Sequence, residues 1–267
     1  MWRPVLTHTI PGGQQPVSGV TALNKEVFLI RDDTPKVEVY DSNTWTLTRY
    51  IKINGLIKPC DLTSCAEFCC LYIADQDSLY SIHRVKLNEE MTKWSTIDCP
   101  ESLSVTPMPE CNVLVTFRIA RKLCEFTTHG VLVREIGLYE DITEPLHAIL
   151  SNGHFIVCHG YLSTEPLHRI CIVDFNGRLT RSYGRAPGSA VGKLNWPSHL
   201  AVDKDGNFLV ADGRNSRVLL LSPDLTENRE LLTESAVSGS LWPCRLCNTE
   251  EHLFVANSCT KAVIVFS

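Results

Sequence analysis

Short apolar segments recur along the whole chain, and each is flanked by polar turn residues. Six of them align on a shared central residue, and these centres lie 42 to 53 residues apart: Ile30, Ile73, Val115, Val157, Val210 and Val255. A proline precedes each segment with nearly the same spacing, at Pro16, Pro59, Pro100, Pro145, Pro197 and Pro243. The spacings of the two markers vary in parallel along the chain, and this indicates an internal repeat.

Each unit carries a further apolar segment after a polar turn. These segments span 37–40, 79–82, 123–126, 170–173, 218–221 and 263–266. Segments this short, with turn residues between them and no helical period, indicate an all-β protein. A period near ~40–45 residues with about four strands per unit is typical of a β-propeller. The sequence therefore predicts a six-bladed propeller that forms one domain over residues 1–267.

The two ends of the chain complement each other. Only 12 residues follow Val255, so the last unit lacks its final strand. The N-terminal segment at 2–10 is predicted to supply that strand and to close the ring. Closure removes the exposed sheet edge that would otherwise favour aggregation, so we expect a monomer.

Composition narrows the class of protein. The 267 residues are 44% hydrophobic, and 25 Lys and Arg face 30 Asp and Glu, for a formal charge of −5. This balance excludes a disordered chain and argues against a DNA partner. No apolar run approaches the ~18 residues of a membrane helix. The twelve cysteines include Cys124, Cys158 and Cys171 in apolar strands, and no glycosylation sequon occurs. We therefore expect buried, reduced thiols and a cytoplasmic protein.

One unit carries a long motif. It runs PSHLAVD at 197–203, DGNFLVAD at 205–212 and NSRV at 215–218. This motif resembles the NHL repeat, and the other five units match it in part. The resemblance implies an NHL-type propeller similar to the C-terminal domain of tripartite-motif ubiquitin ligases. In those ligases the propeller selects a target. Their RING, B-box and coiled-coil parts have no counterpart in these 267 residues.

A polar or small residue stands two places after every repeat proline. These residues are Ser18, Asp61, Ser102, His147, His199 and Arg245. We expect them to ring the mouth of the central channel, where Asp61, His147, His199 and Arg245 would bind a polar ligand. A catalytic zinc site needs about three protein ligands. The ring has only two histidines, and Asp61 comes from a blade that is not adjacent to theirs, so no metal or other cofactor is expected.

A second candidate site lies on the loop face, formed by the blade connections and the turns between second and third strands. Basic and aromatic residues gather there on the third and fourth units: Arg118, Arg121, Lys122, Tyr161, His168, Arg169 and Arg185. Such a mixture suits single-stranded RNA or an acidic peptide. Asp212 and Arg217 bracket a turn and are interpreted as structural braces. Cys244 and Cys247 are expected on opposite strand faces, which argues against a metal or redox pair.

These features favour a non-catalytic recognition module that binds a protein, a peptide or single-stranded RNA on the loop face. Acidic turns containing Asp32, Asp33, Asp75 and Asp77 repel phosphate, so a protein or peptide is the favoured partner. The alternative is a hydrolase or lyase at the channel mouth, which a metal ion could assist, using His147, His199 and Asp61.

Overall fold

The computed structural model describes residues 4–77, 79–88, 90–139, 141–160, 167–237 and 239–267. In this part of the chain, 24 strands form six four-stranded antiparallel sheets. Two single-turn 3₁₀ segments occur as well. Gly213–Asn215 lies between the second and third strands of blade 5, and Glu234–Ala236 follows the outer strand of that blade. The predicted six-bladed propeller is confirmed. No helix in these ranges has the length and apolar character needed to cross a bilayer.

The first three blades each consist of four consecutive strands, numbered from the channel outwards. Blade 1 contains β2 (Val17–Leu23), β3 (Glu26–Arg31), β4 (Lys36–Asp41) and β5 (Leu47–Lys52). Blade 2 contains β6 (Pro59–Cys65), β7 (Cys70–Asp75), β8 (Ser81–Lys86) and β9 (Met91–Ser95). Blade 3 contains β10 (Ser102–Val105), β11 (Val113–Phe117), β12 (Lys122–Phe126) and β13 (Leu132–Gly137).

The other three blades follow the same order, and the last one takes its outer strand from the N-terminus. Blade 4 contains β14 (Pro145–Ser151), β15 (His154–His159), β16 (His168–Val173) and β17 (Leu179–Arg185). Blade 5 contains β18 (Pro197–Val202), β19 (Phe208–Asp212), β20 (Arg217–Leu221) and β21 (Asn228–Thr233). Blade 6 contains β22 (Pro243–Asn248), β23 (Leu253–Asn257), β24 (Ala262–Phe266) and β1 (Leu6–Ile10).

Strand β1 closes the ring as predicted. It pairs antiparallel with β24, from Leu6 opposite Phe266 to Ile10 opposite Val263. Two further backbone hydrogen bonds join Val5 and Ser267, at 2.9 and 3.0 Å. The innermost strands of successive blades touch one another, and β22 touches β2. The closed ring leaves no gap between the last blade and the first.

The hydrophobic core lies between the blades. Apolar residues form one cluster at each of the six blade interfaces of the described chain. Successive side chains of a strand point to opposite faces, so Phe28 and Ile30 of β3 pack toward blade 2, and Val27 and Leu29 toward blade 6. The central residues of the second strands are therefore apolar on both faces. Gly19 permits the close approach of blades 1 and 2, since a Cβ there would lie 2.6 Å from that of Leu62.

Two local predictions are wrong. The third strand of blade 2 spans Ser81–Lys86 rather than 79–82, because the chain turns at Tyr80, where φ is +33°. Cys244 and Cys247 do not face opposite sides, since both pack against the cluster between blades 6 and 1. A β-bulge between Pro243 and Arg245 interrupts the alternation of side chains in this strand.

Candidate functional site at the channel mouth

The structure brings four of the ring residues into direct contact inside the channel. The imidazoles of His147 and His199 stack, with ring centroids 3.7 Å apart. His199 Nε2 lies 3.8 Å from Asp61 Oδ1, and Arg245 Nε donates to the same oxygen at 3.2 Å. Asp61, His147 and His199 are buried, whereas the Arg245 side chain retains 19% of its exposure. The four predicted residues therefore form one cluster, which lies below the mouth rather than at its rim.

This cluster satisfies backbone groups at the inner edge of the sheets. The innermost strand of each blade has no neighbour on its channel side, so its N–H groups need other acceptors. Leu103 N donates to Asp61 Oδ2 at 2.8 Å, Leu200 N to His147 Nδ1 at 3.3 Å, and Leu246 N to His199 Nδ1 at 3.3 Å. In each case the leucine belongs to the next blade. The ring residues therefore clasp three blade junctions.

The charges within the cluster are balanced. Burial acts to raise the pKa of Asp61, but Arg245 and then His199 outweigh it and hold the pKa at about 2. Burial, followed by the neighbouring His199, lowers the pKa of His147 well below its usual value. Burial also lowers the pKa of His199 despite the nearby Asp61 carboxylate. At neutral pH the cluster thus holds an Asp61–Arg245 ion pair and two uncharged histidines.

The cluster contains side chains of the types that bind metal ions. Asp61, His147 and His199 each offer a ligand atom, and the three atoms lie within 4.8 Å of one another. Asp61 reaches the two histidines although its blade is not adjacent to theirs, because the channel is narrow enough to bring their side chains together. However, His147 Nε2 faces the Leu103 carbonyl at 3.2 Å, and the Arg245 guanidinium lies beside the carboxylate. A cation would have to displace these hydrogen bonds next to a positive charge.

The mouth above the cluster is an open cavity of about 580 Å³. Its walls include Trp196, Trp242, Glu101, Arg245 and Cys259. The two indoles meet edge to face, with centroids 6.1 Å apart, and Trp242 is 38% exposed. Sequence reasoning missed both tryptophans as site residues. The signal was present, because a Trp-Pro pair occurs at the repeat proline in blades 5 and 6 only.

A second cavity of about 350 Å³ continues the mouth toward blades 1 and 2. It shares Glu101, Cys244, Arg245 and Ser258 with the first cavity. Its own lining adds the charged residues Asp32, Asp33 and Lys58. The mouth therefore extends across the loop face from the indoles of blades 5 and 6 to the acidic turn of blade 1.

Several loop-face cations are already paired with acids. Arg118 Nε lies 3.0 Å from Glu101 Oε2, and Arg118 Nη1 lies 3.6 Å from Glu144 Oε1. Lys122 Nζ lies 2.9 Å from Asp98 and 2.8 Å from Glu135, and these two carboxylates raise its pKa. The third-unit turn is therefore not the unopposed positive surface that the sequence predicts.

The fourth-unit residues of the predicted surface are partly internal. His168 is buried, and its Nδ1 accepts the Trp196 N–H at 3.0 Å. Arg169 is buried as well, bonded to His159 Nε2 at 3.1 Å and to Asp141 Oδ2 at 3.1 Å. Arg121 and Arg185 are exposed as expected. Tyr161 lies outside the described residues.

Asp212 and Arg217 occupy the geometry of a turn brace. Asp212 is fully buried and accepts hydrogen bonds from Asn195 N at 2.7 Å and from Asn215 Nδ2 and Arg217 Nε at 2.8 Å. Arg217 also pairs with Glu230 at 2.6 Å and donates to the Lys193 carbonyl at 2.9 Å. The pair thus ties the incoming connection of blade 5 to its outer strand.

Comparisons with known proteins agree with this architecture. The NHL repeat family model matches residues 194–219, which cover β18, β19 and the start of β20. No match was found among curated proteins. The chain is thus a six-bladed β-propeller that carries an NHL repeat in blade 5.

Solved structures with the same fold share little sequence with it. A protein of unknown function from Bacteroides thetaiotaomicron VPI-5482 is 14% identical, with a TM-score of 0.75 over 95% of this chain and 69% of its own. Virginiamycin B lyase from Staphylococcus aureus is 13% identical, with a TM-score of 0.68 over 98% and 97%. A streptogramin B lyase is 10% identical, with a TM-score of 0.67 over 97% and 96%.

Proposed function

We propose that this propeller is a recognition module that binds a peptide segment of a protein partner at the channel mouth, without catalysing a reaction. The carrying observation is the open cavity of about 580 Å³ with Trp196 and Trp242 in its wall. Tryptophan offers a large and rigid contact area, and it is enriched among the residues that dominate the binding energy of interfaces. An extended chain entering the mouth would cover the exposed face of Trp242.

The cluster below the mouth supports binding rather than catalysis. A general base or an activated nucleophile needs a free atom directed at the substrate. The Nδ1 atoms of His147 and His199 already accept backbone N–H groups. Both carboxylate oxygens of Asp61 are also in use, by Leu103 N and by Arg245 Nε. The cluster serves as the rigid floor of the site.

Pairing of the surface cations favours a protein over RNA. Single-stranded RNA is bound by cations that track its phosphates, together with stacking rings. Arg118 and Lys122 each face two carboxylates, so their charges are compensated within the protein. The role implied by the tripartite-motif resemblance, target selection for ubiquitin transfer carried out elsewhere, is part of this proposal.

Selection of random dodecapeptides displayed on phage against the immobilised propeller tests the proposal. We expect enriched peptides whose binding is lost in Trp242→Ala and retained in Phe68→Ala, a matched control in which an exposed aromatic is removed from the opposite face. In parallel, the binding of a randomised single-stranded RNA pool is measured at increasing salt concentration. Enrichment of RNA with no enrichment of peptides would contradict the proposal.

A second candidate function is a lyase or hydrolase reaction at the cluster. One observation favours it, since Asp61, His147 and His199 hold their ligand atoms within 4.8 Å. Two proteins of the same fold are lyases by name. Metal analysis of protein purified without chelators separates the candidates. About one divalent ion per chain, lost in His199→Ala and kept in His129→Ala, would replace the recognition proposal with the catalytic one.

A further inference from the structure

The mouth carries an excess of negative charge. Asp32, Asp33 and Glu101 line it together with two cations, Lys58 and Arg245. The charge of Arg245 is already matched by Asp61 below it, with Nε and Oδ1 at 3.2 Å. Glu101 shares the guanidinium of Arg118 with Glu144, and the buried Glu144 Oε2 has no hydrogen-bond partner among the residues that the structure describes. Two carboxylates therefore face one cation on this side of the mouth.

Asp32 completes the acidic wall on the opposite side. It is half-buried in the turn after β3, next to the exposed Asp33. Burial raises the pKa of Asp32 even though the Ser18 hydroxyl and Arg245 act to lower it. Its carboxylate is thus incompletely compensated by the surrounding protein, and a cation entering the mouth would stabilise its charged form.

The aromatic wall is suited to the same kind of ligand. A guanidinium or ammonium group is attracted to the face of an indole ring, and more strongly when water is excluded. The protein itself provides an example, because the Arg214 guanidinium lies over the Trp196 ring at 4.7 Å. The neighbouring Trp242 lines the same cavity as Glu101 and is still 38% exposed. An indole face and a carboxylate therefore border the same empty space.

We propose that the mouth recognises a lysine- or arginine-bearing peptide, whose cationic side chain lies between Trp242 and Glu101. This inference rests on the proposed function and specifies the charge of the partner. It reverses the expectation of an acidic ligand, because most of the basic residues on which that expectation relied are paired or buried: Arg118, Lys122, His168 and Arg169. The aliphatic part of a lysine or arginine side chain would cover the indole, and its charge would face the acidic walls.

Fluorescence anisotropy with labelled ten-residue peptides tests the inference. The probes are glycine–serine peptides that contain four lysine and arginine residues, four glutamates or no charge, with U10 RNA as a fourth probe. We expect the cationic peptide to bind at least about tenfold more tightly than the glutamate peptide. Trp242→Ala and Glu101→Gln should each weaken its binding about fivefold or more. Glu227→Gln, which makes the same charge change in an exposed hairpin of the opposite face, should change it less than about twofold.

The contrary outcomes are distinct from one another. Equal binding of the cationic peptide to wild type, Trp242→Ala and Glu101→Gln would overturn the inference, as would tighter binding of the glutamate peptide or of U10. Neutral or acidic peptides that depend on Trp242 would leave peptide recognition in place and remove only its charge preference. Failure of the phage selection to enrich any peptide would remove the proposed function itself. Because Glu101→Gln leaves the packing of the indoles intact, it remains informative if Trp242→Ala fails to fold.

Discussion

Replacing Asp61 by asparagine should destabilise the propeller by about 2–3 kcal/mol. The substitution keeps an oxygen that can accept the Leu103 N–H but removes the charge that Arg245 faces at 3.2 Å. The pKa of Asp61 lies at about 2 rather than 3.8, which corresponds to about 2 kcal/mol at 1.36 kcal/mol per unit. Removing one partner of a buried pair typically costs about 3–5 kcal/mol. Arg245 retains bonds to the Cys60 and Cys244 carbonyls, at 2.9 and 3.0 Å, so we expect a cost no greater than the lower limit of this range.

The measurement is thermal unfolding by calorimetry, together with the urea midpoint. For a domain of this size, 2–3 kcal/mol corresponds to a loss of about 4–6 °C in Tm. Asp205→Asn, in an exposed turn, is the matched control and should change Tm by less than about 1 °C. The double variant D61N/R245M should recover part of the loss, since it also removes the unpaired guanidinium. A loss below about 0.5 kcal/mol in Asp61→Asn, or no recovery in the double variant, would refute this account of the cluster.

Three further predictions concern the buried histidines, the Asp212–Arg217 turn brace and the pairing of β1 with β24. Burial lowers the pKa of His147, His199 and His159, the last to about 3. These histidines take up protons near pH 6.5 when the chain unfolds, so stability should be full above pH 7 and fall as the pH is lowered to 5.5, by about 1 kcal/mol for His159 alone. Equal Tm values at pH 7.5 and 5.5 would contradict this. Asp212→Ala removes the acceptor of three hydrogen bonds and one of the two carboxylates that Arg217 faces, leaving it Glu230 and two backbone carbonyls. We expect a cost of about 3 kcal/mol in urea unfolding, and a cost below about 1 kcal/mol would show that the brace is dispensable. Deletion of residues 1–10 exposes the edge of β24. We therefore expect a Tm lower by at least about 5 °C, and soluble aggregates in size-exclusion chromatography. An unchanged Tm and elution volume would refute the role of β1 in closing the ring.

The sequence was sufficient to predict the architecture because each blade repeats the same pattern of apolar strands and polar turns. A second strand such as β11 is buried on both faces, so its central residues are apolar and it is easily recognised as a repeat centre. The missing last strand could be inferred from the lengths before Ile30 and after Val255. The buried state of Cys124, Cys158 and Cys171 followed from their apolar neighbours and is confirmed.

Contacts between distant residues could not be inferred in the same way. Arg118 and Glu101 are 17 residues apart. Lys122 lies on β12, and Asp98 lies in the connection between blades 2 and 3. Both pairings therefore depend on how the turns pack. The proximity of Asp61 to His199 depends on the width of the channel, which the spacing of repeats does not give. Sequence reasoning also missed that the ring residues accept backbone N–H groups of the innermost strands. The donors belong to the backbone of Leu103, Leu200 and Leu246, and a leucine side chain gives no sign of such a hydrogen bond.

The pairing of β1 with β24 also determines where the chain enters and leaves the ring. Val5 and Ser267 are hydrogen-bonded neighbours directly beyond the paired ends of β1 and β24, at the end of the sheet opposite to Ser258 and the mouth. A short linker could therefore join the two ends, and new termini could be opened in another hairpin without changing the six sheets. A tether attached to either end would leave from the same point of the perimeter. The propeller can thus be immobilised or circularly permuted while its mouth stays unobstructed.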